Sequence, residues 1–368
     1  MDLFDTTAYF SSKVPVIAAS KPLLKSAVCA LAAKHLWHLY NIANETKKRN
    51  SHALSLIRKN IWHYQAAKYY DQALCFLKTA IDLGTYIDNP GEKEEMLAAV
   101  AILCTYELMD APGTAETQTR LDLKDVRFWQ NAGLATDEHG VLLPLTPLSS
   151  MDMGNTGENE EVIKANELTW LLGKIANHLT AGDSLVPEDY VLPRGQRPQI
   201  GLTQEYLTDR WNMLMTELET WHDCLPSAFT VTARTRASSL DSFEQIWFDL
   251  PLCAATIQSY HQAMILLLVN RPQESTAIRS TVSARLRSYR HALKEAAHHA
   301  REICGISLAS PTDSVRINSV QALFVAGQVF EDRHEQDAVL EILSQIEADL
   351  GWTTKYHVAK LIDEWARE

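Results

Sequence analysis

Glycine and proline are scarce in this sequence, 14 and 13 of 368 residues, and they gather in a few stretches. The remainder, rich in Ala, Leu and Glu, argues against a sheet-dominated fold and for helices joined by loops. Positive charge is also short. Lys and Arg number 34 against 46 Asp and Glu, a net charge of −12, so the average surface repels phosphate backbones. The best basic run, Arg285, Arg287, Arg290, Lys294 and Arg301, is interleaved with Tyr289, Leu293 and Ile303 at helical spacing and reads as a solvated helix face. No direct nucleic-acid contact is expected of this chain. Cysteine never occurs in close pairs: Cys29, Cys75, Cys104, Cys224, Cys253 and Cys304 come no nearer than 29 positions, which excludes Cys-x2-Cys zinc sites. They read as reduced, mostly core residues of an intracellular protein, nuclear or cytoplasmic. The first residues, Met1-Asp2-Leu3-Phe4-Asp5, offer neither the basic nor the apolar region of a secretory signal.

Long apolar runs are missing too. Leu252 to Val269 is the most apolar stretch, but Gln258, Ser259, Tyr260, His261 and Gln262 interrupt it, leaving an unbroken run of only residues 263–269. A membrane span needs ~18 such residues, so the segment reads as a buried central helix and no membrane partner is expected.

What is present is helical periodicity, with 46% hydrophobic residues to feed a core. Tyr70, Leu74, Leu77 and Ile81 fall at i, i+4, i+7 and i+11. Leu97, Ala101, Cys104 and Leu108 repeat the spacing, as do Leu168, Leu172, Ile175 and Leu179, and Leu207, Trp211, Leu214 and Leu218, extended by Trp221. Val282, Leu286, Tyr289, Leu293, Ala296, Ala300 and Ile303 alternate steps of four and three, the seam of a helix packed lengthwise on a neighbour, within the chain or across a homodimer. Patterning is weakest over 111–159 and 182–201, two soft loop regions within what reads as one all-α, multi-helix array over 1–368.

Chemical signatures are mostly absent: no Gly-x-Gly-x-x-Gly, phosphate-binding loop, His-Glu-x-x-His or Gly-x-Ser-x-Gly occurs. His35 and His38 are spaced to face one metal but lack a third ligand, and His298 and His299 diverge on a helix, so no metal site is expected. Trp62, His63, Tyr64, Tyr69 and Tyr70 form an aromatic cluster suited to core or pocket. On the central apolar segment, a buried Tyr260 and His261 must find hydrogen-bond partners in backbone, water or a ligand.

Several blocks, in order, resemble the regulatory domain that follows the zinc cluster in fungal transcription factors. Val14 to Ser20, Pro22-Leu23-Leu24 and Ala27 to Leu36 are similar to that family's opening helix, Tyr69 to Leu74 to the next, and Ala98 to Val100 with Cys104 to Leu108 to a third. Ile246-Trp247-Phe248 followed by Tyr260-His261-Gln262-Ala263 resembles its central helix. The most specific part comes last: Ile303 to Ile306, Ala326-Gly327-Gln328, Glu341-Ile342-Leu343, Gly351-Trp352 and Leu361 to Trp365. The resemblance implies an all-α fold, a role in transcription regulation and a cavity suited to small effectors. Two features depart from it. No zinc cluster precedes the opening helix, and after Met109-Asp110 a further Trp/His/Gly-containing helix and a Phe-Trp-containing helix are missing, Thr119-Arg120-Leu121-Asp122 following almost at once.

The resulting expectation is a cofactor-free regulatory module, without a DNA-binding domain of its own, that binds a regulatory protein or a small hydrophobic metabolite through Trp62, Tyr106, Trp247, Tyr260 and His261. The alternative is a repurposed enzyme of fungal secondary metabolism, a cyclase or isomerase working by orientation and hydrogen bonding, with Tyr260, His261, His63 and Glu107 as candidate groups. A pure interaction protein that dimerises through the 282–303 seam is a third reading.

Overall fold

The computed structural model describes residues 2–4, 8–46, 52–84, 89–109, 134–137, 140–143, 160–179, 204–235, 242–272, 281–309 and 311–367. The second soft region, 182–201, and Thr119 to Asp122 lie outside the described residues, as does all of 111–159 except 134–137 and 140–143. Among the described residues the chain forms eleven α-helices and one two-stranded antiparallel sheet, the all-α array that composition and periodicity predict. Packing divides it into two compact units, 1–113 with 340–368, and 114–339.

The first unit contains α1 (Val14–Ala18), α2 (Pro22–Thr46), α3 (His52–Leu83), α4 (Pro90–Leu108), the later part of α10 (Arg333–Leu350) and α11 (Lys355–Trp365). Pro22 and Pro90 open their helices where a missing N–H costs nothing, and the Asn89 side chain caps α4 by accepting from Gly91 N–H. The core joins Val14, Leu23, Leu24, Ile102 and Leu103 through the alanines Ala27, Ala73, Ala98 and Ala99, whose small side chains let the helices approach closely. The stripes expected on α3 and α4 are met in part: Tyr70 and Leu77 pack against this core, but Leu74, Ile81, Leu97, Cys104 and Leu108 are exposed, and the inward faces carry Ala73, Ala98 and Ala99 with Ile102 and Leu103. Cys75 is exposed with them, so the expected core setting of the cysteines holds fully only for Cys253 and Cys304; all six are free thiols.

At the other end of this unit Gly351 adopts a left-handed φ of +64° and closes α10 with an N–H bond to the Glu347 carbonyl. A Cβ there would lie 3.1 Å from His35 and 3.2 Å from Leu39. His35 Nε2 meets the Leu350 carbonyl at 2.7 Å, while His38 pairs with Thr353, so the two histidines serve separate partners.

The second unit is built on α7 (Pro251–Val269), surrounded by α5 (Glu160–Leu179), α6 (Gln204–Asp223), α8 (Val282–Leu308) and α9 (Asp313–Gly327), with β1 (Ala233–Thr235) paired to β2 (Gln245–Trp247). By length and composition α7 would suffice to cross a membrane, yet 78% of that window is buried inside the fold. Its apolar sides meet Trp211, Leu214, Leu218 and Trp221 of α6, the stripe the spacing predicts, and Leu168 and Ile175 of α5 from the predicted row; Leu172 and Leu179 of that row are only partly buried, and Leu171 beside it is fully buried. Polar residues on α7 are used for packing: Gln258 Nε2 donates to Ser307 Oγ and the Ile303 carbonyl of α8. Strand β2 crosses α8 at Gly305, where a Cβ would stand 2.4 Å from the Glu244 carbonyl oxygen and 2.8 Å from Ile246. Only glycine allows that approach. The α8 seam holds over Ala296, Ala300 and Ile303, which are buried, but Val282, Leu286 and Tyr289 are 77%, 49% and 64% exposed.

Candidate functional site

In the second unit residues 140–143 are fastened to α5 and α6. The Asp137 side chain accepts from Val141 N–H at 2.8 Å and its carbonyl accepts from Gly140 N–H at 3.1 Å, Gly140 standing at φ +75°. A Cβ at Gly140 would collide with Trp170 at 2.8 Å, because the Trp170 indole donates to the Gly140 carbonyl at 2.9 Å. Lys174 donates to the same carbonyl, and its partner Glu217 accepts from Leu142 N–H at 2.9 Å. Three side chains from two helices thus hold a loop that the sequence reads as soft.

Beneath that loop lies a cavity of about 400 Å³. Val141, Leu142, Leu143, Met213 and Trp221 give it an apolar lining, with Asn212, Thr216, Thr220 and Cys224 towards solvent. Its inner wall holds an ion pair, Lys164 Nζ to Glu167 Oε2 at 2.8 Å, both side chains almost fully buried. A second pair, Lys174 to Glu217, contributes Glu217 to the wall. Such pairs survive burial because each charge is matched and hydrogen-bonded. Trp221 is 3% exposed and its indole Nε1–H has no hydrogen-bond partner among the described residues.

Trp221 also packs on Tyr260, with ring centroids 5.9 Å apart, which links the cavity wall to a cluster of rings. His222 stacks on Tyr260 at 4.5 Å, and His261 Nδ1 lies 2.7 Å from His299 Nδ1. One imidazole donates its Nδ1–H and the other accepts on a bare Nδ1, so at least the accepting ring is neutral. Burial, together with neighbouring His299, His298 and His222, holds His261 well below the usual imidazole range; burial and His298 bring His299 down to about 4. Burial, with Glu219, Asp223 and Glu295 adding, pushes the Tyr260 phenol up to about 12. The histidine that α7 needs is on α8, and His298 beside it is exposed.

The remaining sequence candidates do not join this group. Trp247 lines a smaller cavity of about 240 Å³ between β2, α8 and the start of α9, with Ile306 and Thr312. Tyr106 and Glu107 lie in the first unit, where Tyr106 stacks on Tyr70 at 4.5 Å and Lys34 Nζ sits over its ring and donates to its carbonyl. A hydrogen bond with Glu107 and burial raise the Tyr70 phenol to about 12. His63 is exposed and Trp62 half-buried, His63 lying 5.0 Å from Trp37. Tyr260 and His261 are therefore brought together, Trp247 stands apart in their unit, and Trp62, His63, Tyr106 and Glu107 belong to the other unit. Lys164, Glu167 and Glu217 were not singled out from the sequence. Two charges three apart directly beside the Leu168 stripe carried the signal for the first pair. Among the described residues no group of three His, Cys, Asp or Glu is placed to hold a metal.

The chain is similar throughout to the transcription activator AMTR1 of Alternaria alternata: the two are 28% identical, with 100% of this chain covered. The chain spans 61% of that relative's length. The alignment runs to 480 positions, more than the 368 residues present here, so the relative carries stretches inside the aligned region that this chain lacks. No protein-family profile matches the chain, and no solved structure matches it.

Proposed function

We propose that this chain is a transcription-regulatory helical module, working in the nucleus and responding to a small hydrophobic effector or a partner protein. The observation that carries this reading is the similarity to a transcription activator over the whole chain. A net charge of −12 supports regulation through other molecules in preference to direct contact with DNA. Effector binding would act by differing affinity for two packings of the helices, which a partner or a DNA-binding domain then reads. No observation favours the enzymatic alternative: His261 is engaged with His299, and Glu107 lies with Tyr70 in the other unit.

The test is a reporter assay in a fungal host, with the chain fused to a heterologous DNA-binding domain. Transcription from the matching promoter should change severalfold relative to the DNA-binding domain alone, at equal protein level. A reporter that stays at that baseline, with the fusion folded and nuclear, counts against the regulatory role.

A further inference from the structure

We propose that the open-mouthed cavity lined by α5, α6 and residues 141–143 binds a small, neutral, largely apolar molecule that presents a carbonyl-type acceptor. Three observations define that ligand. The volume, about 400 Å³, falls in the range of small-molecule sites, and its walls are mainly aliphatic and aromatic. The wall charges are already matched, Lys164 with Glu167 and Lys174 with Glu217, so an ionic ligand would leave a surplus charge in a poorly solvated space. Donors, in contrast, are left over. Lys164, an ammonium with three N–H groups on the cavity wall, has Glu167 as its one hydrogen-bond partner among the described residues. Buried donors of this kind call for an acceptor, and a ketone, ester or lactone oxygen supplies one without adding charge.

The cavity is also built to stay open. Its loop is pinned by Trp170, Lys174 and Glu217, so it does not depend on a bound molecule to hold its shape. Contact between Trp221 and Tyr260 gives a bound molecule a direct path to the packing of α6 on α7. This inference deepens the regulatory reading and takes its biological meaning from it, but ligand binding itself is measured independently.

The test uses the full chain and 6-propionyl-2-dimethylaminonaphthalene, a neutral apolar dye with one ketone, beside 2-dimethylaminonaphthalene, which lacks it. Saturable binding at one dye per chain, with blue-shifted emission, is expected. The bound dye should slow iodoacetamide alkylation of Cys224 at the cavity mouth about fivefold, read by peptide mass spectrometry, while exposed Cys75 and Cys104 serve as unaffected controls. Lys164→Met combined with Glu167→Met, which removes the buried pair and its spare donors together, should weaken the ketone dye by about five- to tenfold, the scale of one hydrogen bond, and leave the ketone-free analogue unchanged. Thr216→Trp, at an exposed position on the wall, should abolish binding without altering the circular dichroism or the thermal midpoint. The proposal fails if no saturable binding occurs, if Thr216→Trp binds as well as the parent chain, or if both dyes bind equally. Loss of dye binding with an active reporter overturns only the cavity; a silent reporter with specific dye binding overturns only the regulatory reading.

Discussion

His261 and His299 share a hydrogen bond in a place where neither is readily charged. His298, His222 and Arg234 face His261 as further positive or potentially positive groups, and Glu302 near His299 offsets them only in part. For an imidazole whose folded pKa is depressed, the unfolded chain binds more protons as pH falls, so stability is complete above about 6.5 and is lost towards the folded pKa. With His299 lowered from 6.5 to about 4, the loss across that window is about 3 kcal/mol. Buried His178 and His357 are lowered too and act in the same direction. Urea denaturation should therefore show a lower midpoint at pH 5 than at pH 7.5, and His299→Gln should flatten that difference. Equal midpoints at both pH values in the parent chain would rule out the pair as a source of acid sensitivity. The polar interruption at Tyr260 and His261 was plain in the sequence, because a phenol and an imidazole stand out on an apolar helix. Its partner was not, since His299 lies 38 positions away on another helix.

At the level of elements, α8 shows how far periodicity carries. Its seven-position row is regular in sequence, yet Ala296, Ala300 and Ile303 are buried and Leu293 half-buried, whereas Val282, Leu286 and Tyr289 stand in the open. Leu286→Ala should change stability by less than about 0.5 kcal/mol, and Ile303→Ala should cost about 2–5 kcal/mol, a contrast that denaturant titration resolves directly. Self-association through the exposed row, if it operates, should make Leu286→Glu reduce the sedimentation coefficient of the concentrated protein. Gly305 carries a sharper constraint on the same helix. Gly305→Ala places a methyl group against the Glu244 carbonyl and should destabilise the chain by about 1–3 kcal/mol, read from the shift in urea midpoint. Helices α3 and α4 teach the opposite lesson. Leu74, Ile81, Leu97 and Leu108 of their visible stripes face outward, while Ala73, Ala98 and Ala99 share the inward face with Ile102 and Leu103, since close helix contact favours small side chains between the large ones.

For the whole molecule, the net charge of −12 sets the expectation towards nucleic acid. At physiological salt, fluorescence anisotropy with a 30-base-pair duplex should show no binding at micromolar chain; a specific submicromolar complex would overturn it. Composition and periodicity determined the all-α class, the buried central helix at Pro251–Val269 and the α5 and α6 faces that pack on it, because local propensity and a one-sided apolar pattern are written along the chain. The glycines of the late blocks were visible as letters, but their necessity at 305 and 351 became clear only when β2 and His35 were seen against them. Tertiary structure alone decided that residues 340–367 pack with the N-terminal helices, that Trp62, His63, Tyr106 and Glu107 fall in a different unit from Tyr260 and His261, and that the cavity lies under a loop tied by Glu217. Each of these depends on contacts between residues far apart in sequence. One chain's local pattern specifies which face seeks burial, but not which distant partner covers it.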